Sequence, residues 1–196
     1  MPVENSAAPY GACVPNAAQR YLIALAHGTF LKRGAFRPTL ARLLNQLQSG
    51  QLDVEYQGAQ FRLHYHGSAT ESGALLNPNY NLEELAFLRS HLREGDTFLD
   101  IGANVGTVSL PIATSLGTQG RVLAIEAHPT ALARLEFNRN ASKLNNVTIV
   151  PVAAADFDGE VTLISGEANL GASHVTSSIV TGGLTVPALT LASILA

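Results

Sequence analysis

The chain has 196 residues, within the span of one large domain, and 46% of them are hydrophobic, which excludes a mainly disordered state. Charged residues are only 14%, well below the roughly 25% typical of soluble domains, and a net charge of -3 provides no global field for nucleic acid. Cys13 is the sole cysteine, so a disulfide framework and a multi-cysteine metal site are excluded and a reducing, cytoplasmic setting is the default.

Residues 1–16 carry Pro2, Pro9, Gly11 and Pro15 among small residues and read as a loose arm. Helical spacing of apolar residues runs from 17 to 47, with a break at Gly34 and Pro38. Within it Leu40, Leu43, Leu44 and Leu47 form an i, i+3, i+4, i+7 stripe expected to be buried. The first fifty residues hold five basic side chains (Arg20, Lys32, Arg33, Arg37, Arg42) against Glu4, a local net of +4 that fits a solvated helix face or a patch for an acidic partner. Residues 52–56 and 60–65 alternate around Gln57-Gly58-Ala59 and predict a β-hairpin. His64 and His66 share a side of its second strand but have no third ligand nearby to make a metal site. Asn81 reads as the N-cap of a helix to about residue 92, with Leu85 and Leu88 on its inner face.

From residue 97 the rhythm becomes strand, helix, strand, helix, strand, over 97–101, a stretch to about 116, 121–125, 130–144 and 147–153. That alternation predicts an α/β fold with a mainly parallel sheet. Pro111 requires the first of these helices either to start late or to kink. After Asp156-Phe157-Asp158-Gly159 a strand over 160–164 suggests a hairpin. Residues 168–196 contain no Asp, Glu, Lys or Arg. The longest apolar run near the start, 21–26, is far shorter than the roughly 20 residues that span a bilayer. No membrane association is expected.

The chemistry concentrates in Asp100-Ile101-Gly102-Ala103-Asn104-Val105-Gly106, directly after a strand, with Glu126 ending the next one. Glycines let the backbone turn sharply and approach a ligand, and the following helix aims free N–H groups at the same spot. An acid at the second strand tip can accept bonds from both ribose hydroxyls. A nucleoside-containing cofactor over the strand ends follows, against the alternative of a glycine turn used only for packing. A dinucleotide fingerprint is incomplete, because Asn104 holds its middle glycine position and Asp100 would repel a pyrophosphate. S-adenosylmethionine, with its ammonium and sulfonium cations, suits an acid at position 100.

The segment Phe98-Leu99-Asp100-Ile101-Gly102-Ala103-Asn104-Val105-Gly106 resembles the first motif of the FkbM-type S-adenosylmethionine-dependent methyltransferases. Ala124-Ile125-Glu126-Ala127-His128-Pro129 is similar to that family's Glu-Pro-x-Pro pattern, with Ala127 in place of the usual proline. Asn138, Asn140, the run Leu144-Asn145-Asn146-Val147, and Ala153-Ala154-Ala155-Asp156 with Gly159-Glu160-Val161 extend the likeness, which covers about residues 52–191.

The resemblance implies a Rossmann-like class I methyltransferase fold, three-layered α/β/α, with S-adenosylmethionine as cofactor. The implied reaction is O-methylation of a hydroxyl on a small molecule or sugar, without metal or nucleic acid. Implied cofactor-binding residues are Asp100, Gly102, Ala103, Asn104, Gly106, Glu126, Ala127 and Asp156. Gly102, Ala103 and Asn104 would border the methionine part, Glu126 the ribose, and the turn at 153–156 the adenine. Ala192 stands where the family has an aspartate, and its later strands do not follow. The expectation is therefore a C-terminally truncated domain with an open strand edge prone to self-association.

The resulting organisation is an N-terminal arm and helices (1–50), a hairpin and helix leading in (51–95), and a partial cofactor-binding domain (96–196). No catalytic base is assigned; His128 and His174, the latter placed in a loop within reach of substrate, are the histidines nearest the motifs. A non-catalytic cofactor-binding remnant and a nicotinamide-dependent oxidoreductase are the competing functions.

Overall fold

The computed structural model describes residues 8–47, 50–66, 68–166, 169–176 and 183–196, with the backbone alone for 165, 166 and 169–176. Helices α1 (Ala17–Gly28) and α2 (Arg37–Leu47) are joined by two short 3-10 turns. Asn16 caps α1 through a reciprocal capping box with Gln19. The break between the helices thus falls before Arg37, and Pro38 lies in the first turn of α2, where its missing N–H is not needed. The predicted leucine stripe is half realised. Leu40 and Leu44 are buried with Ala41, whereas Leu43 and Leu47 are exposed, so the contact face of α2 is narrower than its apolar pattern.

Strands β1 (Leu52–Tyr56) and β2 (Ala59–Leu63) form the expected hairpin around Gln57 and Gly58, both at positive φ, as a two-residue hairpin turn requires. The strand ends at Leu63, so His64 and His66 lie beyond it. Opposite each other in the hairpin, Asp53 and Arg62 form a buried ion pair at 2.7 Å. Asp53 also accepts the Gly11 and Cys13 amides at 2.8 and 3.0 Å, and Arg62 donates to the Ala8 and Pro9 carbonyls. Far from being loose, residues 8–13 of the arm are tied to the hairpin by charge-assisted bonds.

A helix the sequence reading omitted, α3 (Ala69–Leu76), follows with Ser68 as its cap. The next, α4 (Leu82–His91), starts where expected, but Asn81 serves through its left-handed backbone at φ 52° and not through a side-chain bond.

Strands β3 (Thr97–Ile101), β4 (Arg121–Ile125) and β5 (Val147–Val150) form a parallel sheet in the order β3-β4-β5. Crossing between them are α5 (Ser109–Leu116) and α6 (Pro129–Ala141). Pro111 sits in the first turn of α5, so the helix starts late and is not kinked. Phe98, Val122 and Val147 share one sheet face and pack with Leu110, Ile112, Leu116 and Leu135. That core is continuous with α1–α4 and the hairpin, from Ala26 to Val147. On the opposite face Leu99 and Leu123 are half-buried and Ile101 is 56% exposed.

The strand expected over 147–153 is divided. Pro151 carries no N–H for the ladder, and the chain re-enters as β6 (Ala153–Ala154) in a separate sheet. There β7 (Gly159–Gly166), β8 (Asn169–Thr176) and β9 (Leu184–Leu189) complete the order β6-β9-β7-β8, and β7 pairs antiparallel with both neighbours. This confirms a hairpin after residue 159. His174 belongs to β8, paired with Ile164, and not to a loop. The chain ends in α7 (Leu191–Leu195), whose start is held by Asp158 accepting from Thr190 N at 2.6 Å and Ser193 Oγ at 2.5 Å. Among the described residues no helix is long and apolar enough to cross a membrane.

Candidate cofactor site at the strand tips

β3 carries Asp100 and Glu126 follows directly after β4, so both acids lie at one end of the parallel sheet. Between them the chain turns through Gly102, Asn104 and Gly106, all at positive φ (81°, 51° and 92°). Gly102 and Ala103 both donate their N–H to the Ile125 carbonyl at 2.9 Å, which pins the turn to the end of β4. Glu126 completes the junction. Its Oε2 accepts the Asn104 N–H and its Oε1 the His128 N–H, each at 2.8 Å. A carboxylate oxygen carries two lone pairs, so both oxygens retain capacity for a ligand's hydroxyl groups.

The glycines divide into two kinds. A Cβ added to Gly102 would meet nothing within 4 Å, so the turn there borders open space. At Gly106 the same atom would lie 2.7 Å from Leu135 Cδ1 and 2.8 Å from Leu110 Cγ. Gly106 lets α5 and α6 pack against the turn, which is the packing role that was the alternative to ligand contact. Ala103 is buried, and Ala127 packs with Ala155 against the small second core of Ala153, Val161, Leu163, Val186 and Ala188. Asp156 is exposed just after β6.

Asp100 is largely withdrawn from water. Burial pushes its carboxyl above the ordinary range, opposed by the Ser109 hydroxyl, which donates to Oδ2 at 2.5 Å, and reinforced by the negative charges of Glu84 and Glu126. A buried acid in that field is stabilised by a cation placed beside it. Nearby, His128 caps α6 by accepting the Thr130 N–H on Nδ1 at 3.2 Å, and burial lowers its pKa. Its ring is a structural cap of the helix entering the site.

Two contributors, Ser109 and Glu71, escaped the sequence reading, and a third, Asn138, entered it only through the family likeness. Ser109 was legible as a hydroxyl at a helix start. Buried Asn138 accepts the Arg62 N–H at 2.8 Å and donates to the Val105 carbonyl at 3.1 Å, coupling β2 to the turn. Glu71, fully buried, bonds Arg134 at 2.5 Å and joins α3 to α6. The three pairings made by Asn138 and Glu71 span 33 to 76 residues, and no local pattern announces them.

No family model matches the sequence. Over 84 residues the chain is 36% identical to a Sulfurisphaera tokodaii protein named as a probable cobalt-precorrin-6B C(15)-methyltransferase (decarboxylating), covering 41% of this chain and 44% of that one. Over 104 residues it is 30% identical to the 23S rRNA (uracil(1939)-C(5))-methyltransferase RlmD of Acinetobacter baylyi, covering 48% of this chain and 22% of that one. The crystal structure of M. jannaschii TYW2 in complex with AdoMet aligns over 52% of this chain and 42% of its own, at 25% identity and a TM-score of 0.40. The chain spans less than half the length of each of these proteins. The sequence relatives are methyltransferases, and the parallel α/β core that ends in an acid-flanked glycine turn is consistent with the S-adenosylmethionine-dependent, class I methyltransferase superfamily.

Proposed function

We propose that the chain binds S-adenosylmethionine across the tips of β3 and β4 and serves methyl transfer to a hydroxyl group of a small molecule, as the FkbM-type resemblance implies. The observation that carries this reading is the pairing of Glu126 with the turn: a carboxylate fixed at the end of β4, beside open space at Gly102 and a partly buried acid at Asp100. Glu126 would hold the ribose hydroxyls, Asp100 would face the cationic end, and Gly102 would leave room for the methionine chain. The turn at 153–156 would border the adenine. Ala103, Asn104, Gly106 and Ala127 support those contacts from behind. When bound, the sulfonium supplies an electrophilic methyl group and is itself a good leaving group. The protein's task is then to align the acceptor oxygen with the methyl carbon.

The named relatives act at carbon, as their names state, whereas the family resemblance implies oxygen, so the acceptor atom is part of the proposal. Calorimetric titration with S-adenosylhomocysteine is the test. Saturable binding supports the site, and tighter binding of NAD would replace it with a nicotinamide reading. Binding without transfer to any hydroxylated acceptor would identify a cofactor-binding module instead of an enzyme.

A further inference from the structure

We propose that the cleft between the start of α2 and the start of α3 receives the phosphate group of a small methyl acceptor, a step that rests on reading the strand tips as the methyl-donor site. The cleft measures about 610 Å³ and is lined by Arg37, Arg42, Tyr65, His66, Ser68 and Ser72 among others, with no carboxylate in its walls among the described residues. That volume is of the size of small-molecule sites.

Both arginines are available. Arg42 is exposed, and neither has a carboxylate partner among the described residues. Arg37 lines the cleft, lies over the Tyr80 ring at 5.6 Å and donates through Nε to the Lys32 carbonyl at 3.5 Å. Guanidinium groups suit a phosphate because their forked donors match its oxygens. The hydroxyls of Ser68 and Ser72 stand at the N-terminal end of α3, where the helix dipole adds positive potential. These two arginines belong to the basic excess of the first fifty residues, which the strand-tip site leaves without a role.

The position of the cleft follows from how β2 runs along α6. Gln60 bonds Ser142, Arg62 bonds Asn138, and His64 reaches Arg134 through Glu71. Two strand residues rise about 6.8 Å and four helical residues about 6 Å, so strand and helix keep step in opposite directions. His64, held to Arg134 through Glu71, brings the segment that lines the cleft at Tyr65 and His66 alongside α6, whose start is capped by His128. On this proposal the basic cleft lies at the same end of the sheet as the glycine turn.

A small phosphorylated molecule fits better than RNA. Two of the five basic residues of the first fifty line this concave pocket, in a chain of net charge -3, whereas a nucleic acid calls for an extended basic stripe.

Phenyl phosphate and phenol are the probes, titrated calorimetrically into the 196-residue chain without cofactor. Binding of phenyl phosphate but not phenol is expected, weakened at least tenfold in Arg37→Gln/Arg42→Gln and restored in Arg37→Lys/Arg42→Lys, with circular dichroism unchanged. S-adenosylhomocysteine affinity should stay within twofold of the unmodified chain in both variants. Phenyl phosphate failing to bind, or binding equally to the Gln variant, overturns the proposal even where S-adenosylhomocysteine binds normally. Failure of S-adenosylhomocysteine alone defeats the strand-tip reading and with it the acceptor role, while still reporting whether the cleft takes phosphate. An RNA oligomer that binds more tightly than phenyl phosphate, and in an Arg37/Arg42-dependent way, replaces the small molecule with nucleic acid.

Discussion

The amide of Asn104 and the carboxylate of Glu126 are joined at 2.8 Å across 22 residues of sequence, and this bond sets the shape of the junction between two parallel strands. Because Glu126 also holds the His128 amide, one side chain fixes both the glycine turn and the entry to α6. Substituting Glu126 with Ala should raise the S-adenosylhomocysteine dissociation constant by the loss of charge-assisted bonds, roughly 1.5–3 kcal/mol. An unchanged constant in calorimetry would place the ribose elsewhere.

Asp100 offers a test in which stability and binding move in opposite directions. Its folded pKa lies above the unfolded value, so its contribution is fully present below the ordinary aspartate pKa and is lost as pH rises through the folded value. At neutral pH the buried charge therefore weakens the ligand-free fold. Asp100→Asn keeps an acceptor for Ser109 and should raise the melting temperature at pH 7 relative to the unmodified chain. It should also weaken S-adenosylmethionine binding roughly tenfold, the scale of one charge pair in a partly screened site. Loss of stability with intact binding would mean that Asp100 is purely structural.

The two glycines of the turn predict different phenotypes. Gly106→Ala forces a methyl group into Leu110 and Leu135 at positive φ, and should destabilise by about 1–3 kcal/mol from overpacking alone. Gly102→Val meets no protein atom at its Cβ, so its structural effect is confined to backbone strain of about 1–2 kcal/mol. Cofactor binding should nevertheless be abolished. Urea unfolding beside ligand titration separates the two, and retained binding in Gly102→Val would show that the turn does not touch the ligand.

His128 makes the fold sensitive to mild acid. Its folded pKa is lowered, chiefly by burial, so the unfolded chain takes up the proton first. The stabilisation is present above the ordinary histidine pKa of about 6.5 and is lost as pH falls through the folded value. Protonation also removes the Nδ1 acceptor that caps α6. His128→Asn retains a capping acceptor without titrating. The drop in urea midpoint between pH 7.5 and 5 should therefore be smaller in this variant, and an equal drop would assign the acid sensitivity to other groups.

Removing Asn138 should be costly because two backbone groups depend on it. Asn138→Leu strands the Arg62 N–H and the Val105 carbonyl in a buried setting, at roughly 1–3 kcal/mol for each unsatisfied group. A change below about 1 kcal/mol in urea unfolding would mean that these groups find other partners.

Much of this molecule is written locally. The limits of β3 and β4, the late start of α5 at Pro111, and the hairpin turn at Gln57 and Gly58 all follow from neighbouring residues, because apolar runs and turn residues act over a few positions. The acid-turn-acid arrangement of Asp100, Gly102 and Glu126 is legible for the same reason: each lies at the end of a recognisable strand. What the tertiary structure decided are relations between distant groups. Gly102 and Gly106 look alike in sequence, and only the approach of Leu135 turns one into a packing site. Asp53 and Arg62 became buried partners because the hairpin register set them face to face and the arm closed over them. The division of β5 from β6 required a second sheet to receive Ala153. Burial and pairing depend on which surfaces meet, and that is settled only when the whole core closes.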